Sequence, residues 1–137
     1  MSEPKAEAKR ILETKDKLTE VLPHASEQQK PVSSAQALKE RLDWGEPAFT
    51  IADARDRNSF NTERILGAVP IDSEETLGRL MNSLSTRREL YIYGENDEQA
   101  QAAVEKFVAA GFENVSRLQG GLAGWKAISG PTEGRVG

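Results

Sequence analysis

Residues 91–104, YIYGENDEQAQAAV, have the layout of a ligand site. A β-rich run, Tyr91-Ile92-Tyr93, meets a glycine, and a short polar loop leads into a helical pattern. At such a junction in parallel α/β proteins the strand's carboxyl end receives ligands and the helix's amino end attracts anions. The loop Gly94, Glu95, Asn96, Asp97, Glu98, Gln99 carries three carboxylates and no obvious nucleophile. It has one glycine, without the Lys and Ser/Thr that a phosphate-cradling loop needs, and a G-x-S-x-G elbow is absent. Glu95, Asp97 and Glu98 already supply negative charge to the helix's positive end, stabilising it by roughly a few tenths of a kcal/mol each and repelling an incoming anion. Helix capping is therefore the favoured role, and Asn96 and Gln99 have capping-box spacing.

A second candidate is IADARDRNSF, with Asp53 and Asp56 just past a strand pattern and Arg55 and Arg57 interleaved. Two carboxylates there could hold magnesium or accept a phosphoryl group. That chemistry also wants acidic ligands at another strand end and a conjugate lysine, neither of which the sequence places, so an Asp–Arg network tying the loop is favoured. In GGLAGW, Gly120 and Gly121 suit a tight turn and Trp125 a core anchor. Trp44 reads as a helix-end packing residue. None of these stretches calls for a cofactor or a metal.

The chain contains no cysteine and one histidine, His24. A disulfide, a thiolate nucleophile and a cysteine zinc site are therefore excluded, and His-based metal sites and Ser–His relays nearly so. His24 reads as a solvated bystander. The 137 residues are 37% hydrophobic and 29% charged, enough apolar material for one core. Residues 1–30 carry six cations and six anions, so the net charge of −4 lies in residues 31–137. An acidic domain without a basic stripe is a poor partner for nucleic acid. No run approaches the roughly 20 apolar residues of a membrane helix, and MSEPKAEAKR lacks the hydrophobic run of a signal peptide. The expected location is cytoplasmic.

The elements that must position these residues are legible from periodicity. Residues 4–22 read as an amphipathic helix, with Ala8, Ile11, Leu12, Leu18, Val21 and Leu22 near one face, interrupted by Lys15. It could pack on its own domain, dock on a partner or drive a homodimer. A polar linker comes next, so residues 1–30 and 31–137 are read as separate units. SSAQALKERLDWG reads as a helix capped by Ser33 or Ser34, with Ala37, Leu38 and Leu42 as its apolar face and Gly45 as its stop. AFTIADA and ELYIYG read as buried strands. SEETLGRLMNSL is a helix with Ser73 as N-cap, Thr76 at the third position and Leu77, Leu80, Met81 and Leu84 as its stripe. NDEQAQAAVEKFVAAGF is a helix with Ala100, Ala103, Val104, Phe107 and Val108 as its buried face, ended by Gly111 with Phe112 packing back. NVSRL is a last strand and LAGWKAI a closing helix. Helices alternating with short apolar strands argue a parallel sheet covered on both faces.

Taken in order, these stretches resemble the rhodanese-like (sulfurtransferase) domain. IADARDRNSFNTERILGAVPI is similar to that family's first signature, near D-V-R-x-x-x-E-[FY]-x-x-G-H-I-P-G-A, through Asp53, Arg55, Phe60, Ile65, Gly67 and Ala68. Glu63, Arg64 and Leu66 depart from it, standing where glycine, histidine and proline are usual. AAGFENVSRLQGGLAGWKAISGP resembles the second, A-G-[FY]-x-N-V-x-x-L-x-G-G-x-x-A-W, with Gly124 in place of alanine. The resemblance covers about residues 31–133 and implies a central, five-stranded, mostly parallel sheet with helices on both faces. It also implies a catalytic loop opening with cysteine, C-x-x-G-x-R-S. Aligned without gaps, that cysteine falls on Gly94, the glycine on Asp97, the arginine on Gln99 and the serine on Ala100. The resemblance thus implies a catalytically inactive member, a protein-binding or regulatory module that meets another protein through the 94–99 loop face or the 4–22 helix. An enzyme of unfamiliar type built on Asp53, Asp56 and the loop carboxylates is the alternative.

Overall fold

Two short, nearly continuous apolar runs build the centre of the sheet. In the computed structural model, which describes residues 31–43 and 49–135, these runs are strands β2 (Phe49–Asp53) and β5 (Glu89–Tyr93). They pair in parallel, Phe49 opposite Glu89 through Asp53 opposite Tyr93. Strand β1 (Val32–Ser33) and β6 (Val115–Leu118) extend the sheet on the β5 side, and β4 (Val69–Pro70) closes it beside β2. The order is β1-β6-β5-β2-β4. Every pairing in this sheet is parallel, so the expected "mostly parallel" sheet is wholly so. A two-stranded antiparallel ribbon, β3 (Arg64–Ile65) with β7 (Thr132–Glu133), lies apart from it.

Strand alternation sends Leu90 and Ile92 to one face and Tyr91 and Tyr93 to the other. On the first face they join Ala52, Leu77, Val104, Phe107 and Phe112, which brings in α3 (Glu74–Ser83) and α4 (Asp97–Ala109). On the second they join Leu38, Phe49, Ile51, Phe60, Leu118 and Trp125, from α1 (Ala35–Asp43), α2 (Arg57–Thr62) and α5 (Gly121–Ala127). Two apolar layers thus cover a sheet that presents apolar side chains on both faces.

The helix ends obey their cap residues. Ser34 Oγ accepts from Ala37 N at 3.0 Å at the start of α1. Ser73 and Thr76 form a reciprocal capping box at α3, with the threonine hydroxyl taking the place of the usual Glu. At α4, Asn96 Oδ1 accepts from Gln99 N at 2.8 Å. The returning bond differs from the expected box, because Gln99 Oε1 accepts from Glu95 N instead. Helix α4 ends in a Schellman turn: Phe112 N donates to Phe107 O and Gly111 N to Val108 O, with Gly111 at φ 96°. The Phe112 ring packs edge-on against Phe107, 5.2 Å between centroids.

Several expectations need correction. Val108 is 55% exposed, not part of the buried face of α4. Ala37 is exposed and Ala35 takes its place beside Leu38. Strands β1, β3, β4 and β7 and helix α2 were not anticipated, because two-residue strands and a six-residue helix are too short to show a period. The amphipathic segment 4–22, His24, Trp44 and Gly45 lie outside the described residues.

Candidate functional site

The chain proceeds from β2 to the β4 edge and later returns beside β2 as β5, from which it continues outward to β6. The carboxyl ends of β2 and β5 therefore adjoin at the point where strand order reverses, the place where open α/β sheets bind ligands. A cleft of about 490 Å³ opens there, lined by Arg55 after β2, the Gly94–Asp97 loop after β5, and Gly120, Gly121 and Lys126 of α5 and its approach. Of the second sequence candidate only Arg55 lines this cleft; Asp53 and Asp56 do not.

Asp53 is fully buried and committed. Its Oδ1 accepts from Arg55 N at 2.8 Å and Arg55 Nε at 3.1 Å, and its Oδ2 accepts from Arg55 Nη2 at 2.8 Å. Arg55 Nη2 also donates to Glu63 O at 2.6 Å, tying the end of β2 to the end of α2. The guanidinium lies 5.4 Å from the centre of the Tyr93 ring. Burial and the neighbouring Asp53 carboxylate push the Tyr93 phenol well above its ordinary range, and its oxygen accepts from Ile65 N. Asp56 is spent as the N-cap of α2, accepting from Ser59 N at 2.7 Å, and these hydrogen bonds hold its carboxyl below the usual range. Of the expected Asp–Arg network only the Asp53–Arg55 pair forms; Asp56 is used as a helix cap, and Arg57 turns to Asp72 instead. Among the described residues no group of three His, Cys, Asp or Glu could hold a metal ion.

Gly94 is buried at the end of β5, and Ala100 is buried at 1% exposure. The space above Gly94 is taken by Gln99. Its Oε1 accepts from Glu95 N at 2.6 Å, and a Cβ added at residue 94 would lie 2.8 Å from that oxygen and 3.0 Å from Ala100 N. A backbone donor of the loop is thus satisfied by the chain's own side chain. Across the cleft, Asp97 Oδ1 accepts from Gly120 N at 3.3 Å. Gly120 (φ 81°) is the left-handed N-cap of α5. Gly121 (φ 55°) stands so close that a Cβ there would meet Gly94 O at 3.0 Å. This contact demands glycine twice over, for its dihedral and for its bareness.

Glu95 and Asp97 line the cleft, whereas Glu98 is exposed and does not. Lys126 was missed in the sequence. It lies one helical turn beyond Leu122 on α5, and that spacing was the only signal in the sequence; that both line the cleft is seen only in the fold. Its ammonium pairs with Glu63 at 2.7 Å. Hydrogen bonds from Lys126 and Thr132 hold the Glu63 carboxyl below its ordinary range. Each of the two cleft cations therefore has a carboxylate partner: Asp53 for Arg55 and Glu63 for Lys126. Of the remaining signature residues, Gly67 donates its N–H to Glu133 Oε2 at 2.9 Å. Trp125 is fully buried and donates from Nε1 to Pro131 O at 2.7 Å.

A parallel α/β/α sheet with a strand–loop–helix and a paired-glycine turn meeting at its switch point defines a class of protein. The chain belongs to the rhodanese-like domain family, whose model matches residues 34–128. Among curated proteins it is similar to thiosulfate sulfurtransferase GlpE of Shewanella oneidensis, 32% identical over 75 residues that make up 55% of this chain and 73% of that one. The GlpE of Tolumonas auensis is 24% identical over 82 residues, 60% of this chain and 76% of that one. Among solved structures it is similar to the Alr3790 protein of Anabaena sp., 54% identical with a TM-score of 0.71, covering 74% of this chain and 91% of that one. Among the described residues no helix is long and apolar enough to cross a membrane.

Proposed function

We propose that this chain is a catalytically inactive rhodanese-like domain, residues 31–137 preceded by an added segment at 1–30, that works as a cytoplasmic protein-binding or regulatory module. A rhodanese carries sulfur as a cysteine persulfide in a loop of N–H groups with positive charge nearby. The chain has no cysteine. The observation that carries the reading is the filling of the loop: Gln99 Oε1 occupies the space above Gly94 and accepts from Glu95 N. Glu95 and Asp97 on the cleft wall, beside cations already matched by Asp53 and Glu63, are a poor field for thiosulfate. What remains is a sheet frame with an acidic-rimmed cleft at its switch point, which this reading assigns to contact with another protein.

The test has two arms. In a thiosulfate–cyanide assay the chain is expected to show no turnover, and rates typical of rhodaneses would overturn the reading. For binding, the chain and its Glu95→Gln/Asp97→Asn variant are used as parallel baits. A partner retained by the parent and lost by the variant supports the loop face as the contact. A partner profile unchanged by the variant removes that face from the proposal.

A further inference from the structure

The sheet edge at β1 carries a strip with unfinished contacts. Val32 pairs with Arg117, and Arg117 with Ile92, so all three share the face covered by α4. Helix α4 packs over β5 and β6 and stops short of the edge, where Val32 is 39% exposed. Lys106 pairs with Glu74 of α3, which fixes the flank of α4 that faces α3. At 100° per residue, Val108 then lies on the opposite flank, toward β1, with the exposed Glu105 within about 60° of it. Val108 is 55% exposed. On the same face as Val32, Arg117 Nε is buried with no hydrogen-bond partner among the described residues, an unfavourable arrangement when left unrelieved.

We infer that this strip of Val32, Val108 and Arg117 is the docking surface for this chain's own residues 4–22. The occupant is argued from connection, pattern and charge. Residue 22 is nine residues before Pro31, which adjoins the edge strand, so at most about 3.5 Å per residue keeps the end of the segment within roughly 30 Å of that edge. Wound at helical spacing, the sequence 4–22 aligns Ile11, Leu18 and Leu22 in one stripe, a match for exposed valines. The same stripe carries one anion, Glu7, and one cation, Lys15. The strip offers their complements, Arg117 and Glu105. A marginal amphipathic helix gains its stability from such a surface.

The absence of cysteine in the chain makes disulfide trapping clean. In the full chain, Leu18→Cys is combined with Val108→Cys, and in a control with Glu40→Cys, an exposed position on α1 across the sheet. Under mild oxidation the Val108 pair is expected to close an intramolecular disulfide at least tenfold faster than the Glu40 pair, read by mass spectrometry. Equal rates, or no bond, overturn the inference. Disulfide-linked dimers from the Val108 pair also overturn it, by assigning the strip to a second copy. In the unsubstituted chain, nuclear Overhauser effects between methyls of Val32 or Val108 and those of Ile11 or Leu18 are expected at every protein concentration. Their absence overturns the docking whatever the cysteine variants do.

Discussion

Residue 94 is glycine, and Gln99 Oε1 lies where a side chain would begin. Gly94→Cys alone is expected to leave sulfur transfer undetectable in the thiosulfate–cyanide assay. The new Cβ meets Gln99 Oε1 at 2.8 Å and Ala100 N at 3.0 Å, and the neighbouring carboxylates raise the thiol's pKa and repel anionic donors. A measured alkylation profile should place that thiol above the ordinary value of about 8.5. Full restoration of activity by this one change would show the electrostatic account of the loop to be wrong. Asp53 poses the opposite case, a buried charge with its partner in place. Asp53→Asn strands the Arg55 guanidinium and is expected to cost about 3–5 kcal/mol in urea denaturation. A cost under about 1 kcal/mol would mean that the Asp53–Arg55 pair does not hold β2 to α2.

At the scale of elements, α5 depends on the turn at its carboxyl end. The chain doubles back at Gly130, where Gly130 N donates to Trp125 O and a Cβ would collide with the Trp125 indole. Gly130→Ala therefore forces the indole off its seat and off Pro131 O, at an expected cost of about 1–3 kcal/mol. Chemical denaturation measures the cost, and the near-ultraviolet circular dichroism of the folded protein reports the moved ring. An unchanged spectrum and unchanged stability would deny the contact. The same displacement should loosen the cleft, since Gly121 and Lys126 are carried on this helix.

For the whole molecule the pH dependence has a definite sign. Asp56, Asp72 and Glu63 are all held below their ordinary values of 3.8, 3.8 and 4.5, by hydrogen bonds from Ser59, from Arg57 and from Lys126 respectively. A carboxyl depressed in the folded state contributes stability above its unfolded pKa and loses it as pH falls through the folded one. The thermal midpoint is therefore expected to hold from neutrality down to about pH 5 and to fall below that. Glu63→Gln should make the fall shallower. A midpoint that rises on acidification would contradict these pairings.

What the sequence determined alone was whatever repeats at short range or is stated by residue type. The long helices, the two central strands, the Schellman end at Gly111 and Phe112, and the absence of any thiol could be read directly. The Asp53–Arg55 network was legible too, because its partners are two residues apart. Only the tertiary structure decided the rest. The two-residue strands exist because a neighbour supplies their hydrogen bonds, as β6 does for Val32 and Ser33. Lys126 reaches Glu63 across 63 residues, and Gly121 meets Gly94 O from a different element. Gln99 was expected to close a capping box on Asn96, yet it accepts from Glu95 N. Spacing fixes which residues can meet on a helix. Which of two adjacent donors a flexible side chain reaches is settled by the space left open, and here that space is the one above Gly94.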